Sequence, residues 1–503
     1  MNKIIDKKKL SHLKKLHRTI GLCHGVFDLI HIGHIQYLEE AKKKADVLVV
    51  SVTSGNQVNK TPNRPYFSNE ERMLALSALD SVDYVVLSED KTSIEIINLL
   101  KPNYYFKGPD YKNLSDDITG EIKNEINAVK KNSGIFYTTK TKTYSSSSLL
   151  NIFFNNYSKN IKDHLAKIKK KFPTEKKIDI ELNKLKNLKS LIIGESIIDQ
   201  YTFCEAIGKS GKEPVLNFEE LHTDNYLGGA LAIANHLSEF INKIHLISYI
   251  GSKLENISFI KKNIKKNILL DFFKKGNSPT ILKKRMVENV DKVKIVGFYK
   301  LNDEDISNNE EINLIKKIRL NKKKYKSILV SDFNHGLITN KISNVISENF
   351  KHKYSLMLQA NSNSLAKYDI KKFKFPYLVS INERELRTLL KDNKTDIKLL
   401  MLKLKRQIKC KRMIITVGKR GLFYLSENLK ITQLEAFTNQ YMDKIGAGDV
   451  VFALASVLFS SKVDEDLALL ICSLGGLHSL NMMANEKNIN YKDIKSNLYN
   501  LLK

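Results

Sequence analysis

The chain of 503 residues carries 83 Lys and Arg against 54 Asp and Glu, a formal charge of +29, with 42% hydrophobic and 9% aromatic residues. That composition excludes a disordered polymer and supports two or three domains, each with its own core. No run of ~18 or more uncharged apolar residues indicates a membrane-spanning helix, and the first ten residues lack the apolar core of a signal peptide. The lysines are spread along the chain beside abundant Asn and Ile, which points to general lysine enrichment, with a polyanion-binding surface as the alternative. Neither nucleic acid nor membrane is therefore expected as a partner. Cys23, Cys204, Cys410 and Cys472 lack metal-ligand spacing, and a reduced cytoplasmic protein is the simplest account.

Taken in chain order, the predicted elements fall into two α/β blocks. In the first, β-branched runs at 19–23, 47–52, 82–87, 104–107 and 135–138 alternate with helical patterns, one of them over 35–45. That alternation predicts a small parallel sheet with crossover helices, a Rossmann-like domain assigned to 15–150. Residues 151–188, rich in Lys, Asn and Ile, read as a helical connector. The second block, 189–503, restarts at 191–193 and continues through runs at 244–250, 328–331, 377–381 and 413–417. Its length suits one large doubly wound α/β domain.

The first predicted strand runs into Cys23-His-Gly-Val-Phe-Asp-Leu-Ile-His-Ile-Gly-His34. Gly25 and Gly33 permit close backbone approach, and His31 and His34 flank the start of a helix. Two imidazoles and a helix N-terminus can cradle a triphosphate under attack at its α-phosphate. Taken singly, each histidine also suits an ordinary turn, and Asp28 is placed to orient a histidine or a substrate. As a string, His-x-Gly-His resembles the signature of the nucleotidyltransferase superfamily, and the resemblance covers about 21–150. It implies His31 and His34 as catalytic groups, Gly25 and Phe27 against the nucleotide, and Asp28 and Lys107 as substrate ligands. Thr61-Pro-Asn-Arg-Pro65 and Ser68–Met73 are similar to the loop and helix of the cytidylyltransferase-like branch, which implies Lys60 and Arg72 as phosphate ligands. Phe106–Tyr111 resembles that branch's Lys-Gly-x-Asp-Tyr segment. Tyr144–Ser148, with Ser145 and Ser146, resembles its hydroxyl-rich nucleotide turn.

Near the C-terminus stands Asp443-Lys-Ile-Gly-Ala-Gly-Asp449. Gly446 and Gly448, with Ala447 between them, allow a tight turn whose N–H groups face a phosphate, and the apolar run after Asp449 reads as a helix aimed at the same anion. Asp449 is placed to take a proton from an attacking hydroxyl. A glycine pair before a helix also occurs in ordinary turns, so the wider pattern carries the reading. That pattern resembles the ribokinase-like carbohydrate kinase family across about 189–503. The resemblance implies Asp199 as a sugar-hydroxyl ligand, Gly228 and Gly229 beside the sugar with Asn235, and Asp449 as catalytic base. It also implies an Asn382-x-x-Glu385 motif that organises magnesium and phosphates, with Glu385 acting on the metal indirectly. Thr416, Gly418 and Gly421 fall in its nucleotide loop. Arg285 is a candidate phosphate or sugar ligand, with a strand-surface arginine as the alternative, and Asp332 closes a strand in a similar loop.

Together the two resemblances imply successive steps of nucleotide-sugar synthesis, similar to the bifunctional heptose-phosphate kinase/adenylyltransferases but with the domain order reversed. The implied chemistry is phosphorylation of a sugar or sugar phosphate such as heptose 7-phosphate by Mg-ATP, and nucleotidyl transfer from ATP or CTP to a sugar 1-phosphate. Sugar phosphates and nucleotides are the implied small-molecule partners, and a homodimer is compatible with the resemblance. Two departures, at Met357–Asn363 and at Lys444-Ile445, leave another sugar or a polyol phosphate open as substrate. A non-catalytic sensor role for one block is the remaining alternative.

Overall fold

The computed structural model describes residues 3–16, 19–58, 65–90, 92–108, 121–139, 157–360, 368–438 and 442–502. The chain divides into two compact units, Met1–Asn156 with Lys492–Lys503, and Tyr157–Tyr491. Among the described residues, no helix is long and apolar enough to cross a membrane.

The first unit holds a five-stranded parallel sheet: β1 (Ile20–Gly25), β2 (Val47–Thr53), β3 (Tyr84–Ser88), β4 (Tyr104–Lys107) and β5 (Ile135–Thr138), in the order β3-β2-β1-β4-β5. The unit also holds helices α1 (Leu10–Leu16), α2 (Ile32–Lys42), α3 (Asn69–Ser77), α4 (Ile94–Leu100) and α5 (Ile122–Lys131), and all but the first residue of the C-terminal helix Tyr491–Leu502. All seven residues of β2 are buried, as a parallel strand covered on both faces requires. The period of two splits the core cleanly: Leu22, Val49 and Tyr105 pack in one cluster with α4, while Cys23, Val50 and Phe106 pack in the other with Leu38 and Leu76. Strand order reverses at β1, so the C-terminal ends of β1 and β4 border the crevice where such sheets bind ligands.

In the second unit a nine-stranded sheet runs in the order β10-β9-β6-β13-β14-β15-β16-β17-β18. Its parallel strands are β6 (Lys189–Gly194), β9 (Lys243–Gly251), β10 (Ile268–Lys275), β13 (Ser327–Asp332), β14 (Tyr354–Leu358), β15 (Leu378–Asn382) and β16 (Arg412–Thr416). The hairpin β17 (Leu422–Leu425) and β18 (Ile431–Leu434) adds an antiparallel edge. Here the order reverses between β6 and β13. The helices Lys159–Lys171 and Glu175–Asn183, within the expected connector, belong to this unit. Lys167 and Lys171 of the first of them bind Asp466, and His164 Nε2 lies 3.1 Å from the Asp466 carbonyl.

A separate four-stranded sheet, in the order β12-β11-β7-β8, comprises β7 (Ser196–Lys209), β8 (Leu216–Gly229), β11 (Ile281–Glu288) and β12 (Lys294–Lys300). None of the predicted runs covers it. β8 is exposed or half-buried until its last three residues and β12 is exposed along most of its length, so these two strands lack the continuous apolar signal that marks the buried parallel strands. It docks through Tyr201, Phe203 and Val287 onto Met483 and Ala484, with Ile445 packed against the same cluster.

Candidate active sites

At the end of β1, His31 caps α2. Its Nδ1 accepts the Gly33 N–H at 3.1 Å, and the helix begins at Ile32, three residues before the predicted start. Burial lowers the His31 pKa, so the ring is neutral with its proton on Nε2. The His31 and His34 rings stack at 4.1 Å, and Phe27 meets His34 edge-on at 5.3 Å. Phe27 holds a left-handed backbone (φ 48°), the kind of local strain found near functional sites. Gly25, Phe27, His31 and His34 thus gather where the sheet topology places a ligand.

The charged residues expected beside them are committed to the protein itself. Asp28 accepts the N–H groups of Tyr66 (2.8 Å) and Phe67 (3.1 Å), fixing the entry to α3. Arg72 is only 1% exposed. It donates to the carbonyls of Val26 (2.6 Å), Thr53 (2.9 Å) and Phe67 (3.2 Å) and to Asn69 Oδ1 (2.7 Å). Four of its five N–H groups are therefore taken, and the guanidinium works as a bracket between β1, β2 and α3 rather than as an open phosphate ligand. Lys107 is buried and paired with Glu125 at 3.3 Å. Burial alone would raise Glu125, but Lys107, His24 and the donors Ser93 N–H and Tyr105 O–H hold it at about 2. Lys60, Ser145 and Ser146 lie outside the described residues.

In the second unit the helix Ala447–Ser460 is capped by Gly446, whose φ of +95° favours glycine and where a Cβ would stand 2.6 Å from Asn485 Oδ1. The helix is anchored by an unbroken buried run, Val450–Phe459. Asp449 sits in its first turn, half-buried. Burial chiefly, then the charges of Asp199 and Glu385, push its carboxyl up to about 7, with Lys283 opposing. A Cβ at Gly448 would meet nothing within 4 Å, so space is open beside the helix start. Asp443 holds the loop: it accepts Tyr201 O–H (2.9 Å), Ile445 N–H (2.9 Å) and Ala484 N–H (3.0 Å) and pairs with Lys294. Tyr201 and Lys294 belong to β7 and β12, so the small sheet is tied directly to the glycine loop.

That sheet carries Asp199 and Arg285, the residues expected to meet a sugar. Strand register pairs Asp199 with Lys283 and Tyr201 with Arg285, so all four side chains share one face. Asp199, 5% exposed, binds Arg285 Nη1 at 2.5 Å, and the guanidinium lies 5.7 Å from the Tyr201 and Tyr299 rings. A Cβ on Gly228 would run into the Asp199 carboxylate, which explains glycine there. Gly229, at φ +57°, turns the chain into the helix Ala230–Leu237. Asn235, on that helix, spends its amide on the Asn263 carbonyl (3.0 Å) and the Lys265 N–H (3.1 Å). Asn485 donates to the Leu227 carbonyl at 3.0 Å and lies 3.2 Å from His236 Nε2, linking the Gly-Gly segment to the glycine loop.

Asn382 and Glu385 form a capping box on the helix Glu383–Leu390, each side chain accepting the other's N–H at 2.8 Å. The motif therefore has a local structural reason beside any role at phosphate. Burial pushes the Glu385 carboxyl up to about 7, and it has no cationic partner among the described residues, so a divalent cation there would offset the cost of its charge. Glu385 thus fits an indirect magnesium role. No group of three or more His, Cys, Asp or Glu among the described residues is arranged to hold a metal ion. Thr416 ends β16, and Gly418 and Gly421, at φ 50° and 77°, make the turn that follows. Asp332 is buried against Lys372 at 2.7 Å. Sequence reasoning missed Glu195, which follows β6 and accepts the N–H groups of Phe333 (3.0 Å) and His335 (3.3 Å) across the switch point. It also missed Lys283, whose only sequence signal is its alternation with Arg285 along β11.

Comparison with known proteins agrees with this division. Residues 22–152 match the cytidylyltransferase-like family and residues 187–469, more than half of the chain, match the pfkB family of carbohydrate kinases. The bifunctional protein HldE of Aliarcobacter butzleri is 38% identical over 127 residues, 25% of this chain and 26% of that protein. HldE of Syntrophotalea carbinolica is 40% identical over 96 residues, 19% of this chain and 20% of that protein. The chain spans about a quarter of the length of these curated relatives. Among solved structures, ribokinase from Arabidopsis thaliana aligns with 63% of this chain and 99% of its own, at 14% identity and a TM-score of 0.47. The chain carries a cytidylyltransferase-like domain in its N-terminal part, and it belongs to the pfkB family of carbohydrate kinases.

Proposed function

We propose that this chain is a bifunctional enzyme of nucleotide-sugar precursor synthesis. Its pfkB part phosphorylates a sugar or sugar phosphate, with heptose 7-phosphate the first candidate, and its N-terminal part transfers a nucleotidyl group from ATP or CTP to a sugar 1-phosphate. The observation that carries the reading is Asp449: a carboxylate in the first turn of a helix, behind a glycine loop open to an anion, with Asp199 and Glu385 close enough to raise its pKa.

In the kinase step, Asp199 and Arg285 orient the acceptor and Asp449 accepts the proton of the attacking hydroxyl. The hydroxyl oxygen bonds to the γ-phosphorus, the bond to the bridging oxygen breaks, and ADP leaves with that electron pair. The N–H groups at 446–448 face the charge that develops on the phosphoryl oxygens. Magnesium bound with the nucleotide, supported indirectly by Glu385, would screen the phosphate charges. In the transferase step, His31 Nε2–H and His34, at the start of α2, stabilise the attacked α-phosphate, and pyrophosphate leaves. A reducing cytoplasm, where both nucleotides and sugar phosphates are available, suits this chemistry.

The test is direct. Purified protein with Mg-ATP and heptose 7-phosphate should yield a bisphosphate by mass spectrometry, and heptose 1-phosphate with ATP or CTP should release pyrophosphate. No product from heptose, with product from another sugar or polyol phosphate, would replace the substrate and keep the two reactions. No phosphoryl transfer to any of these would overturn the kinase reading.

A further inference from the structure

Burying an ammonium is costly unless a carboxylate or carbonyls take up its protons. The other cations around the kinase site obey that rule. Arg285 is matched by Asp199, Lys294 by Asp443 and Lys372 by Asp332, while Lys275 donates to the carbonyls of Asn302, Glu304 and His335. Lys283 does not. It is 7% exposed, yet its ammonium makes no hydrogen bond and no ion pair within 4 Å among the described residues. Its one described contact is the Tyr299 ring, 5.9 Å from ammonium to centroid.

Its position gives that isolation a meaning. Lys283 lies opposite Asp199 in the register of β7 and β11, on the face that carries Arg285. Its charge is felt by Asp449 at the glycine loop, by Glu195 after β6 and by His335 after β13. An uncommitted cation thus stands beside Asp199 and within electrostatic reach of Asp449, where negative charge arrives when a phosphoryl group passes between acceptor and nucleotide.

We propose that Lys283 binds the phosphoryl group in transit, donating to its non-bridging oxygens. This rests on the kinase reading given above. The ammonium stays protonated throughout: the hydroxyl proton goes to Asp449, and the bond that breaks is the one between the γ-phosphorus and its bridging oxygen. Burial lowers the Lys283 pKa, while Asp199, Asp449 and Glu195 hold the proton on and Arg285 opposes them. Glu385, His335, Tyr201 and Tyr299 also face this cluster.

Calorimetric titration of the full chain with Mg-ADP, alone and with aluminium fluoride as an anionic mimic of the phosphoryl group, tests the assignment. The increment from aluminium fluoride reads the phosphoryl position. Lys283→Met should weaken that increment by about tenfold or more, with Mg-ADP affinity and Tm unchanged, and Lys283→Arg should recover part of it. Lys284→Met, exposed on the opposite face of β11, should titrate like wild type. The proposal is overturned if Lys283→Met keeps the full increment, or if both probes weaken together with a fallen Tm, as a purely structural cation requires. It is overturned equally if wild type binds Mg-ADP but gains nothing from aluminium fluoride. Wild-type protein that binds no nucleotide at all would remove the kinase reading itself, and this inference with it.

Discussion

The two candidate sites use their charged residues in opposite ways. Around the His-x-Gly-His segment, Arg72, Asp28 and Lys107 are consumed by backbone carbonyls, backbone N–H groups and Glu125, and the groups gathered at the crevice are two stacked imidazoles, an aromatic ring and a helix start. Around the glycine loop of the second unit, Asp449 and Lys283 interact through their charges without a direct ion pair among the described residues, and burial pushes the Asp449 carboxyl up to about 7. The first arrangement stabilises the fold and presents backbone donors. The second keeps electrostatic energy available for a ligand, at a cost in stability. A buried charge is thus informative about function only after its partners have been counted.

Mutation can break this comparison. The largest expected effect is in the second unit: Asp449→Asn should lower phosphoryl transfer by ~10²-fold or more while pyrophosphate release is retained, as followed by separate ADP and pyrophosphate assays. Equal loss of both activities in a folded variant would mean that the two sites are not independent. In the first unit, Arg72→Met should destabilise the protein by about 3 kcal/mol, because the carbonyls of Val26, Thr53 and Phe67 lose their donor. An unchanged melting curve with a raised KM for nucleotide would instead make Arg72 a phosphate ligand and erase the contrast.

The pH profiles sharpen it. Protonated Asp449 cannot accept the hydroxyl proton, so phosphoryl transfer is present above its folded pKa and lost below it. Kinase kcat/KM should therefore fall about tenfold per pH unit below about 7. Burial lowers the His31 pKa, so its imidazole stays neutral into more acid solution than a free imidazole, and pyrophosphate release should persist at a pH where phosphoryl transfer is already falling. Coincident profiles would count against the assigned roles. Gly228→Ala should cut kinase kcat/KM by about tenfold by displacing the Asp199 carboxylate, without touching pyrophosphate release. The smallest effect is Ser68→Ala, which removes one side of the α3 capping box and should cost ~1 kcal/mol, measured by denaturant unfolding.

Most parallel strands of both units were legible in the sequence as short apolar runs, whereas β10 and the fully buried β14 fell in none of the predicted runs. Three predicted runs, at 47–52, 104–107 and 135–138, match β2, β4 and β5 to within a residue. The glycine loop and the His-x-Gly-His string were legible because chemistry at a phosphate demands particular residues at fixed spacing. The four-stranded sheet was not, since exposed strands such as β8 mix polar and apolar residues without a clear period. Nor could a sequence say that Asn382 and Glu385 cap each other, that Asn235 turns to Asn263, or that Arg72 faces three carbonyls. The sequence by itself determined the α/β class of the two blocks, and it marked the glycine loop, the His-x-Gly-His string and Asp449 as candidate groups, because these depend on local pattern and residue type. Only the tertiary structure decided which charges are spent and which remain, because a side chain's partners come from strands and loops distant along the chain. Lys283 stands beside Asp199 only through the register of β7 and β11, residues that lie far apart until the sheet forms.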